Sequence, residues 1–597
     1  MVAKEKNGPQ RKIAEPRWIY GALAREALSV LRVLSVSQAC ISLIWLPAGL
    51  VVVISATAYG QIELNAWNKP FYDALTRRDL DGFIHQLGVF ASIAGVLLVL
   101  NVAQTWLNQM FRLELRTALT RDLFAQWLAP KRAFLLAGAG DIGINPDQRI
   151  HEDAHHLSDL TTDLSVGLLQ AALLLACFIG VLWGLSAGVT FHVAGESFVI
   201  PGYMVWSALF YAGAASLASW LIGRPLIDLN AAHYARESDL RFALVHVNEH
   251  NEGISAYHGE AEEEEKLNIT LDRLILVLRQ LVSATTNLTW VTAGYGWFTI
   301  VAPIIVAAPA FFVGNLSLGG LLMSAGAFTQ VQQSLRWFVD NAGAIADWCA
   351  TLHRVGTFRL GLLEIDKIGE TASRIEFDAS SADRMILDDL TVFLPTGSIG
   401  LSEPHVELAR GERILVVGSP GSGKTCLFRA IAGLWPWGSG RIRLPSRNRV
   451  MFMPKRPFIP QGAIDRILAY PEPPESFQDE QLLTVLMRLG LGHLAPDLRR
   501  AALWDQELAY EEQLGLAFAR LLLHKPDCVI VDEAIEALPP EMRDIVFDVL
   551  AKEGASISLL AIGGPRAEDS RYTRVLRLIF NPEGTRLARI GESTKGG

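Results

Sequence analysis

Gly418-Ser419-Pro420-Gly421-Ser422-Gly423-Lys424-Thr425 decides how the C-terminal half of this 597-residue chain is read. It has the spacing G-x-x-x-x-G-K-[ST], and the apolar run Ile414–Val417 leads straight into it as a strand. Glycines in such a loop let backbone N–H groups curl around phosphate oxygens, and the helix that follows presents its positive end to them. Gly418 through Thr425, with Cys426 opening the helix, are therefore the candidate nucleotide-binding residues. Lys424 is expected to reach the β- and γ-phosphates, and the Thr425 hydroxyl to help hold Mg²⁺.

A second piece of the same chemistry lies further on. Cys528-Val-Ile-Val531 reads as a buried strand and ends in Asp532-Glu533. An Asp at that point can hold Mg²⁺, and the adjacent Glu can polarise an attacking water. Asp532 is the second metal candidate and Glu533 the candidate catalytic base. ATP with Mg²⁺ is the expected ligand.

Outward from this site, toward the N-terminus, the composition changes. The chain is 50% hydrophobic and 19% charged, below the quarter usual for soluble domains. The deficit sits in the first 340 or so residues, in stretches long enough for the roughly 20 apolar residues a membrane helix needs. Arg32 to Glu63, Asp81 to Arg112, Asp163 to Glu196 and Glu196 to Arg224 each leave room for one span. Gln280 to Leu335 carries no charge and is broken by Pro309, Gly314, Gly319 and Gly320, so it holds two. Six spans result.

Basic residues orient them. The N-terminal tail (including Arg11, Lys12, Arg25 and Arg32) is rich in Lys and Arg. So are the 2–3 connection (including Arg112, Arg116, Lys131 and Arg132) and the 4–5 connection (including Arg224, Arg236 and Arg241). The 3–4 and 5–6 connections have neither residue. Both termini are therefore expected in the cytoplasm. The two long basic connections look helical, so their spans are expected to extend well below the bilayer. The expected division is a tail over 1–34, a membrane domain over 35–345, a linker over 346–374 and a nucleotide-binding domain over 375–597.

Other features narrow the function. A net charge of −9 argues against nucleic-acid binding. Cys40, Cys177, Cys349, Cys426 and Cys528 are scattered, which indicates neither a disulfide framework nor a zinc site. The first 34 residues lack the short apolar core and small-residue cleavage site of a removable signal peptide.

These residues resemble the ATP-binding cassette, and the whole chain resembles one branch of the ABC transporters. That branch holds YddA-like bacterial half-transporters, with the BacA/SbmA peptide transporters and the ABCD half-transporters as relatives. In the membrane half the resemblance rests on Leu64-Asn-Ala-Trp67, Phe71-Tyr-Asp-Ala-Leu75, Asn145-Pro-Asp-Gln-Arg-Ile150 and Ile222-Gly-Arg-Pro-Leu226. In the soluble half it rests on the P-loop, Gly433-Leu-Trp-Pro436 and Leu516-Ala-Phe-Ala-Arg-Leu-Leu-Leu-His-Lys-Pro526. It implies a multidomain fold: a six-helix, exporter-like (type IV) transmembrane domain followed by an α/β P-loop cassette. It also implies a bacterial inner-membrane dimer, as a homodimer or with a second half-transporter, with two ATP molecules sandwiched between cassettes. The implied solutes are peptides, cobalamin and acyl or lipid derivatives.

Four places depart from the family pattern. Lys455, after Met453-Pro454, stands where the resemblance implies the Q-loop Gln. Leu508-Ala509-Tyr510-Glu511-Glu512-Gln513 stands where it implies L-S-x-G-E-Q. Pro539 replaces the D-loop Asp, and Gly564 the switch His. Ala509 removes a hydroxyl donor, and Glu511 sets a carboxylate near a polyanion. Two like charges about 4 Å apart cost on the order of 4 kcal/mol at an effective dielectric near 20. The expectation is a chain that binds ATP and hydrolyses it slowly or not at all. The alternative is a proton-coupled or facilitative carrier whose cassette keeps ATP as a structural or regulatory ligand.

Four signals weigh less. His151-Glu152-Asp153-Ala154-His155 matches H-E-x-x-H, but it lies in a cytoplasmic connection where the resemblance implies a conventional intracellular helix, which disfavours a zinc site. Glu260 and the run Glu262–Glu265 read as a solvated helical face. Glu237, Asp239 and Arg241 are candidates for proton coupling, set against salt bridging along a helix. Asn287, Trp290, Tyr295 and Trp297 could line a cavity or simply pack helices.

Overall fold

The computed structural model describes residues 40–586, with 25, 26 and 28 ahead of them. The stretches 138–142, 144, 187–189, 194–195, 313, 315, 365–373, 379–383, 447–448, 553–556 and 565–569 lie outside the described residues. The chain forms two compact units. The first comprises 1–127 with 145–360, and the second 128–144 with 361–597.

Five helices of the first unit are long and apolar enough to cross a membrane: Cys40–Arg77, Leu80–Trp127, Pro146–Ser186, Tyr203–Glu249 and Glu260–Phe312. Leu318–Asp340 takes the sixth expected position but has no stretch as apolar as those of the other five. It can be, because it packs inward. Ala327, Phe328 and Val331 are buried against its neighbours, and Ser324, Gln332 and Ser334 are buried with them. A helix shielded by others needs no lipid-facing apolar surface. Between Ser186 and Tyr203 the apolar pattern alone did not announce a short antiparallel hairpin, Thr190–Val193 with Glu196–Val199.

The break before Leu318 is built around one carboxylate. Asp73, in the Phe71–Leu75 motif, accepts hydrogen bonds from the Ser317 hydroxyl at 3.0 Å and the Gly319 amide at 3.1 Å. It thereby satisfies orphan donors at the start of a helix. Ser317 caps the same turn, accepting from the Gly320 amide at 3.1 Å. Trp67, from the other motif, stacks on Phe71 at 4.4 Å and donates to the Gln86 carbonyl at 2.8 Å.

Helix Ala342–Glu364 occupies much of the stretch expected as a linker over 346–374. It is tied to the first unit by ion pairs, Arg354 to Asp153 at 3.0 Å and Arg359 to Asp122 at 2.7 Å. The indole of Trp348 adds a hydrogen bond to Thr161 at 2.8 Å.

The second unit is a mixed sheet with helices on its faces. At its centre run parallel strands in the order Arg574–Asn581, Arg413–Val417, Ser558–Gly563, Cys528–Asp532 and Val450–Met453. Ile414–Val417 and Cys528–Asp532 are buried throughout, as expected for parallel strands covered on both sides. An antiparallel portion built on Met385–Leu394 and Gly397–Leu401 extends it. There Asp388 meets Arg443 and His405, each at 2.5 Å. Arg443 first, then His405, holds its carboxyl below the usual range.

A depressed folded-state pKa contributes stability above the unfolded value, near 3.9, and that contribution is lost as pH falls through the folded value. Asp388→Asn should therefore weaken this part of the sheet by about 1 kcal/mol at neutral pH. Faster amide exchange over 385–394 would report it. The difference from the unaltered chain should shrink as pH falls below the ordinary carboxylate range and Asp388 takes up its proton.

The 2–3 connection gives up part of itself to this second unit. Residues 128–144, with the short helix Arg132–Ala137, cluster with the cassette. Lys131 lies over the Phe377 ring at 5.3 Å, and Arg429 lies over Phe134 at 5.5 Å.

Candidate nucleotide site

Parallel strands deliver side chains to one edge of the sheet, at their carboxyl ends. Val417 pairs in register with Gly563, Ile562 with Asp532, and Val531 with Met453. The next residues are Gly418, Gly564, Glu533 and, one Pro later, Lys455. Four segments far apart in sequence thus converge on one line.

The loop has the backbone its glycines allow. Gly421 and Gly423 take φ of 78° and 92°, where a side chain would be strained. A Cβ at Gly423 would also come within 2.9 Å of Leu394. Helix Lys424–Ile431 follows, so its first turn faces the loop. The amides of Ser422 and Cys426 are used internally, donating to Ser419 and Gly423 at 3.1 and 2.9 Å. Ser419, Pro420 and Gly421 line the exposed side of the loop.

The Lys424 ammonium lies 3.2 Å from the Gly418 carbonyl and 2.8 Å from a Glu533 oxygen. The other Glu533 oxygen takes the Lys455 ammonium at 2.7 Å. Lys424, then Lys455, holds the Glu533 carboxyl below its ordinary value. Glu533 itself sits at φ 53°, a conformation that costs a non-glycine residue on the order of 1 kcal/mol. Its amide donates to the Ile562 carbonyl at 2.9 Å, which holds the turn.

Asp532 is 1% exposed, and one of its oxygens is buried without a partner. Burial pushes its carboxyl up, while a hydrogen bond from Thr425 pulls it down. A hydroxyl and a carboxylate with a spare oxygen are donors that suit a hard divalent cation, so the set fits Mg²⁺.

The positions that depart from the family pattern have their own partners. Ala509 precedes helix Tyr510–His524, and its amide donates to Glu512 at 2.9 Å. Glu511 is exposed in the first turn of that helix, where the helix end favours it but where it weakens any pull on phosphate. The Gly564 amide donates to Glu536 at 2.7 Å. Tyr510 donates its hydroxyl to the Lys455 carbonyl, joining the two altered segments. Neither Glu536 nor Tyr510 was legible as a site residue, because nothing in their local pattern announces a partner so distant in sequence.

The weaker signals resolve within the first unit. His151 is exposed, and His155 faces Asp159 at 3.5 Å. No group of three metal-ligating side chains exists among the described residues. Asp239 pairs with Arg236 at 3.0 Å, and Glu237 approaches His233 at 3.8 Å, all along one helix. Tyr295 stacks on Tyr211 at 4.3 Å and accepts its hydroxyl through the backbone carbonyl at 3.0 Å. Trp290 and Trp297 are 77% and 75% exposed.

Comparison with known proteins agrees with this layout. The family described as ABC transporter transmembrane region 2 matches residues 31–312, and the family described as ABC transporter matches 401–536. An uncharacterised ABC transporter ATP-binding protein of Haemophilus influenzae is 28% identical over 83% of this chain and 82% of its own. The Escherichia coli inner membrane ABC transporter ATP-binding protein YddA is 28% identical over 82% of this chain and 86% of its own. The human lysosomal cobalamin transporter ABCD4 is 23% identical over 85% and 87%. A bacterial Atm1-family ABC exporter with ATP bound superposes with a TM-score of 0.66 at 15% identity, covering 89% of this chain and 92% of its own. That last likeness speaks for the fold.

Proposed function

The chain belongs to the ABC transporters, as a half-transporter of the YddA- and ABCD-like kind with membrane region and ATP-binding domain fused, and from that premise we propose that it moves a solute across the bacterial inner membrane as a dimer while turning ATP over slowly. The solute class we favour is peptide-like, cobalamin-like or lipid-like, in keeping with the cobalamin transported by the relative ABCD4. Basic 2–3 and 4–5 connections place both termini in the cytoplasm on this reading.

The observation that carries slow turnover is the double pairing of Glu533. A carboxylate held between two ammonium groups has little basicity left for an attacking water. Lys424 must leave Glu533 to meet the β- and γ-phosphates, and Lys455, whose ammonium has three donors, stays in contact with Glu533 when it does. Thr425 and Asp532 would hold Mg²⁺, whose charge helps neutralise the phosphates. Ala509 and Glu511 offer the partner cassette's nucleotide neither a hydroxyl nor a favourable charge. Phe134, seated on Arg429 at the end of the P-loop helix, is the route by which a nucleotide-driven shift would reach the membrane connection.

The same pairing suits the second reading, in which ATP is a regulatory ligand of a proton-coupled or facilitative carrier. ATP hydrolysis by the purified protein in lipid separates the two. Slow release of phosphate that disappears in Glu533→Gln supports ATP-driven transport. Binding with no turnover in the unaltered chain supports the carrier.

A further inference from the structure

Lys455 stands where a divalent cation has reason to be. Its ammonium lies 2.7 Å from Glu533 and is drawn electrostatically to Asp532 as well. The Lys455 backbone is fixed from two sides, by the strand Val450–Met453 in register with Cys528–Asp532 and by the Tyr510 hydroxyl on its carbonyl. The side chain beyond that anchor is 60% exposed, so its four-carbon stem is free to swing.

At this edge two ammonium groups, Lys424 and Lys455, meet the carboxyls of Asp532 and Glu533, with Glu536 close by on the Gly564 amide. A surface lysine on a single carboxylate would carry little weight. Here the carboxylate is already shared with Lys424, which is only 10% exposed, so Lys455 is the mobile member of a partly enclosed network.

We propose that Lys455 is a built-in counter-cation of the nucleotide site, its ammonium bridging Glu533 and the γ-phosphate, so that a nucleoside triphosphate binds with little need for Mg²⁺. The inference rests on the nucleotide-site reading above and adds what neutralises the ligand there. An ammonium at that place does part of what the metal does for phosphate charge: it offsets negative charge and donates charge-assisted hydrogen bonds. It offers no Lewis acidity, which agrees with slow turnover.

The test is ATP binding to the full chain in lipid nanodiscs, by calorimetry, in excess MgCl₂ and again in EDTA. In the unaltered protein, removing Mg²⁺ should weaken binding by no more than about threefold, the size of a partial loss of screening. In Lys455→Gln the same removal should weaken it by about tenfold or more, through loss of binding in EDTA. Lys455→Arg, which keeps the charge, should follow the unaltered protein. Binding in MgCl₂ shows that each variant is folded. An equal, large dependence on Mg²⁺ in all three proteins would overturn the proposal and leave the nucleotide reading standing. No binding in either medium would overturn both.

Discussion

Replacing Lys424 with Ala should abolish measurable ATP binding, weakening it by about 100-fold or more. The side chain is 10% exposed and held between the Gly418 carbonyl and Glu533, so its ammonium is already at the mouth of the loop. Each hydrogen bond from a charged donor contributes about 1.5–3 kcal/mol, and two phosphates share this one. Lys455 would not compensate. With Lys424 gone it is left alone to neutralise Glu533, so it cannot also replace the contacts that Lys424 makes to two phosphates. Calorimetry with Mg-ATP gives the answer, and thermal unfolding shows whether the variant keeps its fold. Binding within about threefold of the unaltered chain would sink the assignment of the loop.

A comparable loss is expected in the membrane unit from a single methyl group. Gly319→Ala would place a Cβ 2.2 Å from the Lys69 carbonyl and 2.8 Å from Asp73. The carbonyl is backbone inside helix Cys40–Arg77 and cannot yield as a flexible side chain would. The Asp73 contact is the one that opens helix Leu318–Asp340, so the clash also threatens a cap. Overpacking of this kind costs about 3 kcal/mol. Gly88→Ala is the matched comparison, since a Cβ there meets nothing within 4 Å and alanine is favoured in a helix by about 1 kcal/mol. The expected result is aggregated or heat-labile protein for Gly319→Ala and unchanged protein for Gly88→Ala, judged by size-exclusion profile and thermal unfolding in detergent. Equal behaviour of the two would contradict the tight packing of the first and sixth helices.

Much of the site was legible because its chemistry is local in sequence. Gly418 to Thr425 is one continuous loop, and the strand before it shows as an apolar run. The membrane helices were legible for a similar reason, since a span is one uninterrupted stretch of uncharged residues. The sixth helix falls short of the hydropathy of the rest because burial among other helices, which no local pattern records, relaxes the demand for apolar side chains. Ala342–Glu364, within a stretch expected as linker, gains its anchorage from Asp122, Asp153 and Thr161, all distant in sequence.

What the sequence determined by itself was therefore the kind of molecule: a membrane half with long basic connections, a phosphate loop, an Asp-Glu pair, and altered residues at 455, 509, 511, 539 and 564. What the altered residues do was decided only in three dimensions. Lys455 and Glu533 are separated by 78 positions, and no spacing rule says that the one neutralises the other. They meet because buried parallel strands, apolar on both faces, order themselves by packing against the helices that cover them. Apolar runs such as Val529–Val531 and Ile414–Val417 are interchangeable as patterns. Only the folded sheet places Met453 beside Val531, and so sets an ammonium on the carboxylate that the sequence marked as the base.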